Sequence, residues 1–274
     1  MNNQWADLMP RIGSAIVMAI VGLGAVFAGG LWFTVLVSVL AGLMVWELLR
    51  MLDDDAFAVG FGLLSGALIF VACLLQHSFP TSGEASFMQA RLPGVFSVIV
   101  LALAVFLVSK ASDERKKILT YYSAAILIAC FGLYYIRQSM GVQAIFFIIL
   151  VVVATDIAGY FVGRIVGGPK FWPAISPKKT WSGTAGGWIA ASIVALLVGP
   201  PIGVFWAILS GVVLSFGSQL GDVVESAIKR KTGVKDSSNL IPGHGGVLDR
   251  FDGMIGATLL FTVMVVALNV ALLV

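Results

Sequence analysis

Charge is scarce in this 274-residue chain: its 17 Lys or Arg and 14 Asp or Glu residues make up 11% of the sequence, against 59% apolar residues. Mean hydropathy is +1.01. So apolar a composition excludes a soluble domain of useful size. Apolar runs of about 20 residues recur along the chain, the length that a helix needs to cross about 30 Å of hydrocarbon. Because the runs are continuous rather than alternating, we expect membrane-spanning helices.

Cysteine and histidine are also scarce, with two of each. Cys73 and Cys130 lie in separate apolar runs without paired spacing, so the sequence supports neither a zinc site nor a disulfide framework. We interpret both as small buried side chains. The sequence also lacks a Walker lysine motif, a dinucleotide fingerprint and a Ser-His-Asp arrangement, which argues against those nucleotide-binding and hydrolytic classes.

The apolar runs predict an all-α fold, a polytopic integral membrane helical bundle of about nine transmembrane helices. One glycine pair, Gly29-Gly30, and one proline pair, Pro200-Pro201, divide apolar runs that would otherwise be too long for one helix. The expected spans are 12–29, 31–51, 56–75, 93–109, 117–137, 142–166, 182–199, 201–229 and 252–273.

The basic residues predict the orientation. With the N-terminus in the cytoplasm, 15 of the 17 basic residues lie on the cytoplasmic side, and only Arg91 and Arg137 fall outside. We therefore expect a multi-pass protein of the inner (cytoplasmic) membrane that contacts membrane lipids. Residues 1–140 are interpreted as a scaffold with possible dimer contacts, and 141–274 as the catalytic region with cytoplasmic loops 164–181 and 230–251. The spacing of Gly62 and Gly66 permits helix packing within one subunit or in a homodimer.

Much of the scarce charge is concentrated between Ser226 and Asp252, where basic residues alternate with carboxylates around the turn 242–246. In the span before it, Asp222, Glu225, Ser226 and Lys229 share one helical face. Carboxylates in a transmembrane helix indicate function, although neutralisation of Asp222 by Lys229 is the alternative. Asp249 and Asp252 are three residues apart at the next helix start. They fit either a favourable helix dipole or, with Asp222, a hard-cation site.

A second group of candidate residues follows span six. Lys178 and Lys179 precede a Gly-rich helix start, an arrangement that favours phosphate binding. Close helix packing explains Gly183 and Gly187 about equally well. Glu47, near the end of span two, is interpreted with Asp53, Asp54 and Asp55 as a solvated helix end.

The motif S-x-I-K-R, four residues, K-D, and then P-x-H-G-G-x-x-D-R-x-D over 226–252 resembles the signature of CDP-diacylglycerol synthases, the phosphatidate cytidylyltransferases. The segment 176–180 resembles a second block of that family, and Ser182 departs from it where many members have an acidic residue. The resemblance implies a bacterial-type membrane enzyme that makes CDP-diacylglycerol and pyrophosphate from CTP and phosphatidic acid with Mg²⁺. We expect no nucleic-acid partner.

The candidate site residues follow from this resemblance and from the patterns above. The metal ligands are expected to be Asp222, Asp249 and Asp252, which with Lys229 form the catalytic set. The substrate-binding set is Lys178, Lys179, Ser226, Arg230, Lys235, His244, Gly245, Gly246 and Arg250. Two other classes remain open: a different lipid-linked phosphotransferase, such as a polyprenol kinase or a CDP-archaeol-type synthase, and a transporter, since Asp156, Asp222 and Glu225 lie in or near spans.

Overall fold

The computed structural model describes residues 8–52, 55–77, 87–112 and 115–271. Helices dominate these residues, which confirms the predicted all-α class, and the exception is a small two-stranded sheet. The elements are α1 (Leu8–Ala28), α2 (Gly30–Met51), α3 (Asp55–His77), α4 (Phe87–Val108), α5 (Lys116–Ile165), β1 (Lys170–Trp172), β2 (Ser176–Thr180), α6 (Trp181–Val198), α7 (Val204–Thr232) and α8 (Leu248–Ala271). Within the described ranges, six helices are long and apolar enough to cross a membrane.

Glycines with positive φ set several helix boundaries. Gly29 (φ 64°) separates α1 from α2, and Gly203 (φ 88°) precedes α7. The 50-residue α5 is two helices joined at Gly141, whose φ and ψ are 80° and −171°. Glycine takes such values without the clash that a Cβ would cause. With this break, the described residues contain nine helical segments, and the break falls where the sequence predicts one span to end at 137 and the next to begin at 142.

The chain forms two compact units. The first contains the described residues up to Tyr135 together with Asp236–Asp249, and the second contains Ile136–Lys235 and resumes at Arg250. The segment 236–249 thus belongs to the same unit as α1 to α4. The division of roles between 1–140 and 141–274 stays a prediction.

In the first unit, α2 and α3 pack backbone to backbone through small residues. A Cβ on Gly62 would lie 2.8 Å from the carbonyl oxygen of Gly42, and one on Gly66 would lie 2.9 Å from that of Ser38. Contacts this close require glycine at the crossing point. The Gly62/Gly66 spacing therefore serves packing within the chain, and the homodimer stays a prediction without support from these residues.

In the second unit, α6 and α7 meet where a Cβ on Gly211 would lie 2.6 Å from the carbonyl oxygen of Ala191. Between α5 and α6 the chain forms an antiparallel hairpin in which Lys170 pairs with Thr180 and Trp172 with Ser176. From the sequence, this stretch is expected to be a loop. The strands have only three and five residues, too few to show the alternation by which strands are recognised.

Candidate active site

The second unit contains a cavity of about 730 Å³, bounded by the end of α5, the hairpin, the start of α6 and one face of α7. Ligand sites usually have this size. Its charged lining consists of four basic and two acidic residues: Arg164, Lys170, Lys178, Lys179, Asp156 and Asp222. The cavity therefore gathers positive charge around two carboxylates, an environment suited to an anion bound together with a cation.

The hairpin leads directly into α6 and so presents its two lysines to the cavity. Thr180 ends β2 and is the N-cap of α6, where its hydroxyl accepts a 3.2 Å hydrogen bond from the Gly183 amide. The Trp181 amide donates to the carbonyl of Pro169, and the Ser182 hydroxyl donates to the carbonyl of Gly167. These bonds satisfy two of the first-turn amides. They also give Ser182 a role in tying the hairpin to the helix start.

The glycines at the start of α6 are packing residues. A Cβ on Gly183 would lie 2.5 Å from the carbonyl oxygen of Gly159 and 3.2 Å from the Cα of Gly163, both in α5. One on Gly187 would lie 2.9 Å from the Gln219 amide nitrogen and 3.1 Å from a Thr155 methyl. Of the two interpretations that the sequence left open, close packing is the one that these contacts support. Phosphate binding by the helix start stays a prediction.

Gly183→Ala is therefore expected to destabilise the second unit by about 1–3 kcal/mol, the usual cost of overpacking. The measurement is the melting temperature in detergent. Gly60→Ala in α3 is the matched control, because its Cβ would meet nothing within 4 Å and alanine favours helix over glycine. Equal melting temperatures for Gly183→Ala and the wild type would refute the packing role.

On α7, the predicted polar face is present, but its ion pairs differ from the alternative that the sequence suggested. Asp222 Oδ2 pairs with the ammonium of Lys179, and Asp222 Oδ1 accepts a 3.1 Å hydrogen bond from the Ser226 hydroxyl. Lys229 instead donates to Glu225 Oε2 at 2.9 Å. The partner of Asp222 thus comes from the hairpin rather than from its own helix, which unites the two sequence segments at one site.

Two more carboxylates lie near Asp222 in the second unit. Asp156 lines the same cavity, and its negative charge and that of Asp222 repel each other. Asp252, in the second turn of α8, also interacts electrostatically with Asp222, and its carboxyl group lies close to that of Glu225. The sequence predicts Asp222, Asp249 and Asp252 as one ligand set, and of these Asp222 and Asp252 lie in the second unit. The sequence marks Asp156 only as an intramembrane carboxylate, which is the signal that could assign it to the site.

The donor set around Asp222 fits a hard cation such as Mg²⁺, which prefers oxygen ligands. In the part of the chain that the structure describes, no group of three or more His, Cys, Asp or Glu residues is arranged to hold a metal ion. Mg²⁺ at phosphate-processing sites commonly uses one or two carboxylates and completes its shell with water and substrate phosphates. Asp222 and Asp252 are residues of the type that such a site uses, and Mg²⁺ binding by them stays a prediction.

In the first unit, Asp249 organises the loop 236–247. Its Oδ2 accepts hydrogen bonds from the Ser237 amide (2.9 Å), the Ser237 hydroxyl (2.9 Å) and the Gly246 amide (2.8 Å). Gly245 has a φ of +80°, and a Cβ there would lie 2.8 Å from the same oxygen. Asp249, Gly245 and Gly246 therefore determine the conformation of this loop.

The structure contradicts the prediction that Glu47 is part of a solvated helix end. Its side chain is fully buried, with 0% exposure, and its carboxylate accepts hydrogen bonds from this same loop and from the start of α8. Its partners are distant in sequence, so neither spacing nor hydropathy indicates them. Asp53 and Asp54 lie outside the described residues.

His244 is tied to α1. Its Nδ1 lies 2.8 Å from the Ser14 hydroxyl, which also lies 3.0 Å from the Pro242 carbonyl and 3.1 Å from the Arg11 carbonyl. Carbonyls only accept, so these contacts are satisfied when Ser14 donates to a carbonyl and His244 Nδ1 donates to Ser14. These contacts give His244 a structural role in the turn 242–246; its part in phosphate binding stays a prediction.

The remaining predicted substrate-binding residues are exposed: Arg230, Lys235 and Arg250. Arg230 lies in the last turn of α7. Lys235 follows that helix and is the last residue of the segment Ile136–Lys235 of the second unit. Basic side chains near a helix C-terminus are favourable on electrostatic grounds alone. Their part in substrate binding stays a prediction.

Comparison with known proteins adds an independent line of evidence. The sequence profile of the Cytidylyltransferase family matches residues 9–268. The phosphatidate cytidylyltransferase of Bacillus subtilis (strain 168) is 37% identical over 259 residues, 91% of this chain and 94% of its own length. That of Brucella suis biovar 1 (strain 1330) is 36% identical over 274 residues, 93% of this chain and 92% of its own. That of Staphylococcus aureus (strain COL) is 35% identical over 264 residues, 93% and 98% of the two chains.

Proposed function

Because this chain belongs to the cytidylyltransferase family and is thus a membrane nucleotidyltransferase, we propose that it joins CTP to phosphatidic acid, giving CDP-diacylglycerol and pyrophosphate. The relatives that match over more than nine-tenths of this chain carry the name of this activity. The observation that carries the proposal is the Lys179–Asp222 pair in the cavity of the second unit. It brings together the two sequence segments that bear the phosphate-binding and metal-binding residue types.

The reaction is a displacement at phosphorus. A phosphate oxygen of phosphatidate attacks the α-phosphorus of CTP, the bond from that phosphorus to the oxygen bridging to the β-phosphate breaks, and pyrophosphate leaves with the electron pair. Such transfers require positioning and neutralisation of charge rather than covalent help from the protein. Ionised phosphatidate is already a nucleophile, so the reaction demands no dedicated general base.

The residues of the second unit can meet these requirements. Lys178 and Lys179 supply positive charge on the hairpin, and Arg164 adds a guanidinium on the same cavity wall. Mg²⁺ held by Asp222 and Asp252 would polarise the α-phosphate and stabilise the departing pyrophosphate. Asp249 and Lys229 stay candidates on the strength of the motif alone.

We place the reaction at the cytoplasmic face of the inner membrane, with the N-terminus in the cytoplasm. Support comes from the distribution of basic residues, 15 of 17 on one side. CTP is a soluble anion, whereas phosphatidate resides in the bilayer. An enzyme that joins them needs a basic site at helix ends close to the lipid headgroups.

The alternative functions differ either in which phosphate of CTP reaches the lipid or in which lipid accepts it. Purified protein is supplied with Mg²⁺, with CTP labelled on either the α- or the γ-phosphorus, and, in separate reactions, with phosphatidate, an archaeol phosphate or a polyprenol. We expect the α-label to enter the lipid and the γ-label to appear as pyrophosphate. Transfer of the γ-label to a lipid would indicate a kinase. If another lipid phosphate, such as an archaeol phosphate, is preferred to phosphatidate, the substrate proposed here is wrong. A transporter would incorporate neither label.

A further inference from the structure

Glu47 is a carboxylate in α2 with no exposed surface, and four hydrogen-bond donors of the first unit converge on it. The Ser238 hydroxyl (2.6 Å) and the Val247 amide (2.9 Å) donate to Oε1. The Leu248 amide (2.6 Å) and the Ser237 hydroxyl (3.3 Å) approach Oε2. A carboxylate is an acceptor at both oxygens, so Glu47 satisfies the two amides and the Ser238 hydroxyl. It shares the single hydroxyl hydrogen of Ser237 with Asp249, whose Oδ2 lies closer, at 2.9 Å.

The two amides belong to the start of α8, which begins at Leu248. First-turn amides have no partner within their own helix, and the positive end of the helix dipole favours a negative charge there. Glu47 thus caps α8 from a different helix. Burying a charge is costly, and apolar packing would stabilise the unit at least as well. Stability alone therefore does not explain a carboxylate at this position. Its role in ordering the start of α8 and the loop before it explains it better.

Ser237 connects Glu47 to Asp249. Its hydroxyl lies 3.3 Å from Glu47 Oε2 and 2.9 Å from Asp249 Oδ2, while its amide donates to Asp249 at 2.9 Å. Gly246 is tightly packed against both Ser237 and Glu47. A Cβ on Gly246 would collide with the Ser237 hydroxyl and lie 2.5 Å from Glu47 Oε1. Displacing the Glu47 carboxylate therefore disturbs both Ser237 and the turn that holds Asp249.

We propose that Glu47 is a positioning residue for nucleotidyl transfer: its carboxylate fixes the segment 236–248 and, through Ser237, the orientation of the Asp249 carboxylate. This inference rests on the proposed function for the reaction that it serves. The effect of Glu47 on the order of the segment 236–248 can be measured without turnover.

The kinetic test compares Glu47→Gln with Glu47→Asp. Glutamine keeps the volume but turns an NH₂ group toward a donor; aspartate keeps two acceptor oxygens on a shorter stem. We expect Glu47→Gln to lower kcat at least about tenfold and to raise the Mg²⁺ concentration for half-maximal activity severalfold, with KM for CTP within about threefold. Glu47→Asp should retain more activity than Glu47→Gln. The opposite ranking would show that Glu47 acts through its volume, and the proposal would be wrong.

Leu49→Ala is the matched control for stability, because Leu49 is also fully buried in α2 and its side chain is apolar. Its melting temperature should fall at least as far as that of Glu47→Gln, while kcat per folded protein and the Mg²⁺ dependence stay within about twofold of wild type. If the two variants lose kcat equally at equal melting temperature, Glu47 has only a structural role.

Hydrogen–deuterium exchange separates this proposal from the proposed function. In Glu47→Gln, peptides covering 236–248 should exchange at least about tenfold faster than in wild type, while peptides of α6 and α7 are unchanged. Leu49→Ala should not show this selective change. A wild-type protein that fails to use CTP would refute the function and leave this result standing. Unchanged exchange in Glu47→Gln would refute the hold on the segment even in an active enzyme.

Discussion

Asp252→Asn is expected to lower kcat by at least about a hundredfold without loss of folded protein, and Asp222→Asn should do the same. Asparagine keeps the shape of the side chain but removes the negative charge that would bind Mg²⁺ and balance the positive charge of the basic residues in the site. A loss of about 3 kcal/mol of transition-state stabilisation corresponds to about two orders of magnitude in rate. Asp249→Asn should also abolish turnover. There the loss would include a disturbed loop, since Asp249 Oδ2 accepts three hydrogen bonds; Asp249 is a candidate ligand on the strength of the motif alone.

The competing explanation for an aspartate near the start of α8 is the helix dipole, which contributes only about 0.3–1 kcal/mol of stability and nothing specific to the rate. A variant that lost only this dipole effect should keep kcat within about twofold of wild type. The assay is initial-rate kinetics at saturating Mg²⁺, with folded protein quantified by gel filtration. If Asp252→Asn retained a tenth of wild-type activity, the metal-ligand role would be untenable.

Changing Lys178 and Lys179 together to Ala is expected to reduce kcat/KM for CTP or phosphatidate by about a hundredfold. Both lysines line the cavity, and Lys179 is paired with Asp222. Positive charge held close to a developing phosphate charge in a partly desolvated site contributes far more than the same charge in water.

The control for the lysine pair is a set of basic residues with no part in the cavity, at the start of α5. Neutralising Arg115, Lys116 and Lys117 together should leave kcat/KM within a few-fold, since a solvated charge is screened over about 8 Å at physiological salt. Equal damage from both sets, at matched expression and topology, would mean that the basic residues act as a diffuse field. The Lys179–Asp222 site would then not be the centre of the reaction.

The helical segments could be predicted from the sequence because hydropathy and glycine act locally. A continuous apolar run of sufficient length forms a helix wherever it lies in a membrane, and Gly29 and Gly141 end helices through their own φ values. The aspartates of α7 and α8 could be predicted for a similar reason. Helical spacing alone places Asp222, Glu225, Ser226 and Lys229 on one face, and charge in so apolar a segment indicates function.

The partners of those charges could not be predicted, because they depend on tertiary contacts. Neither helical spacing nor charge indicates that Asp222 pairs with Lys179 across the hairpin rather than with Lys229 on its own helix. Glu47 is the extreme case: it bonds residues 190 to 201 positions away, and its local sequence resembles an ordinary polar helix end. The packing role of Gly183 likewise depends on where α5 lies, because its close contacts are with Gly159 and Gly163 of that helix.

The most direct test of the central claim is pyrophosphate release by the purified protein, measured with CTP, phosphatidate and Mg²⁺ together and with each omitted in turn. The account predicts release only when all three are present, with one CDP-diacylglycerol formed for each pyrophosphate. Release without phosphatidate, or none in the complete mixture from folded protein, would contradict it.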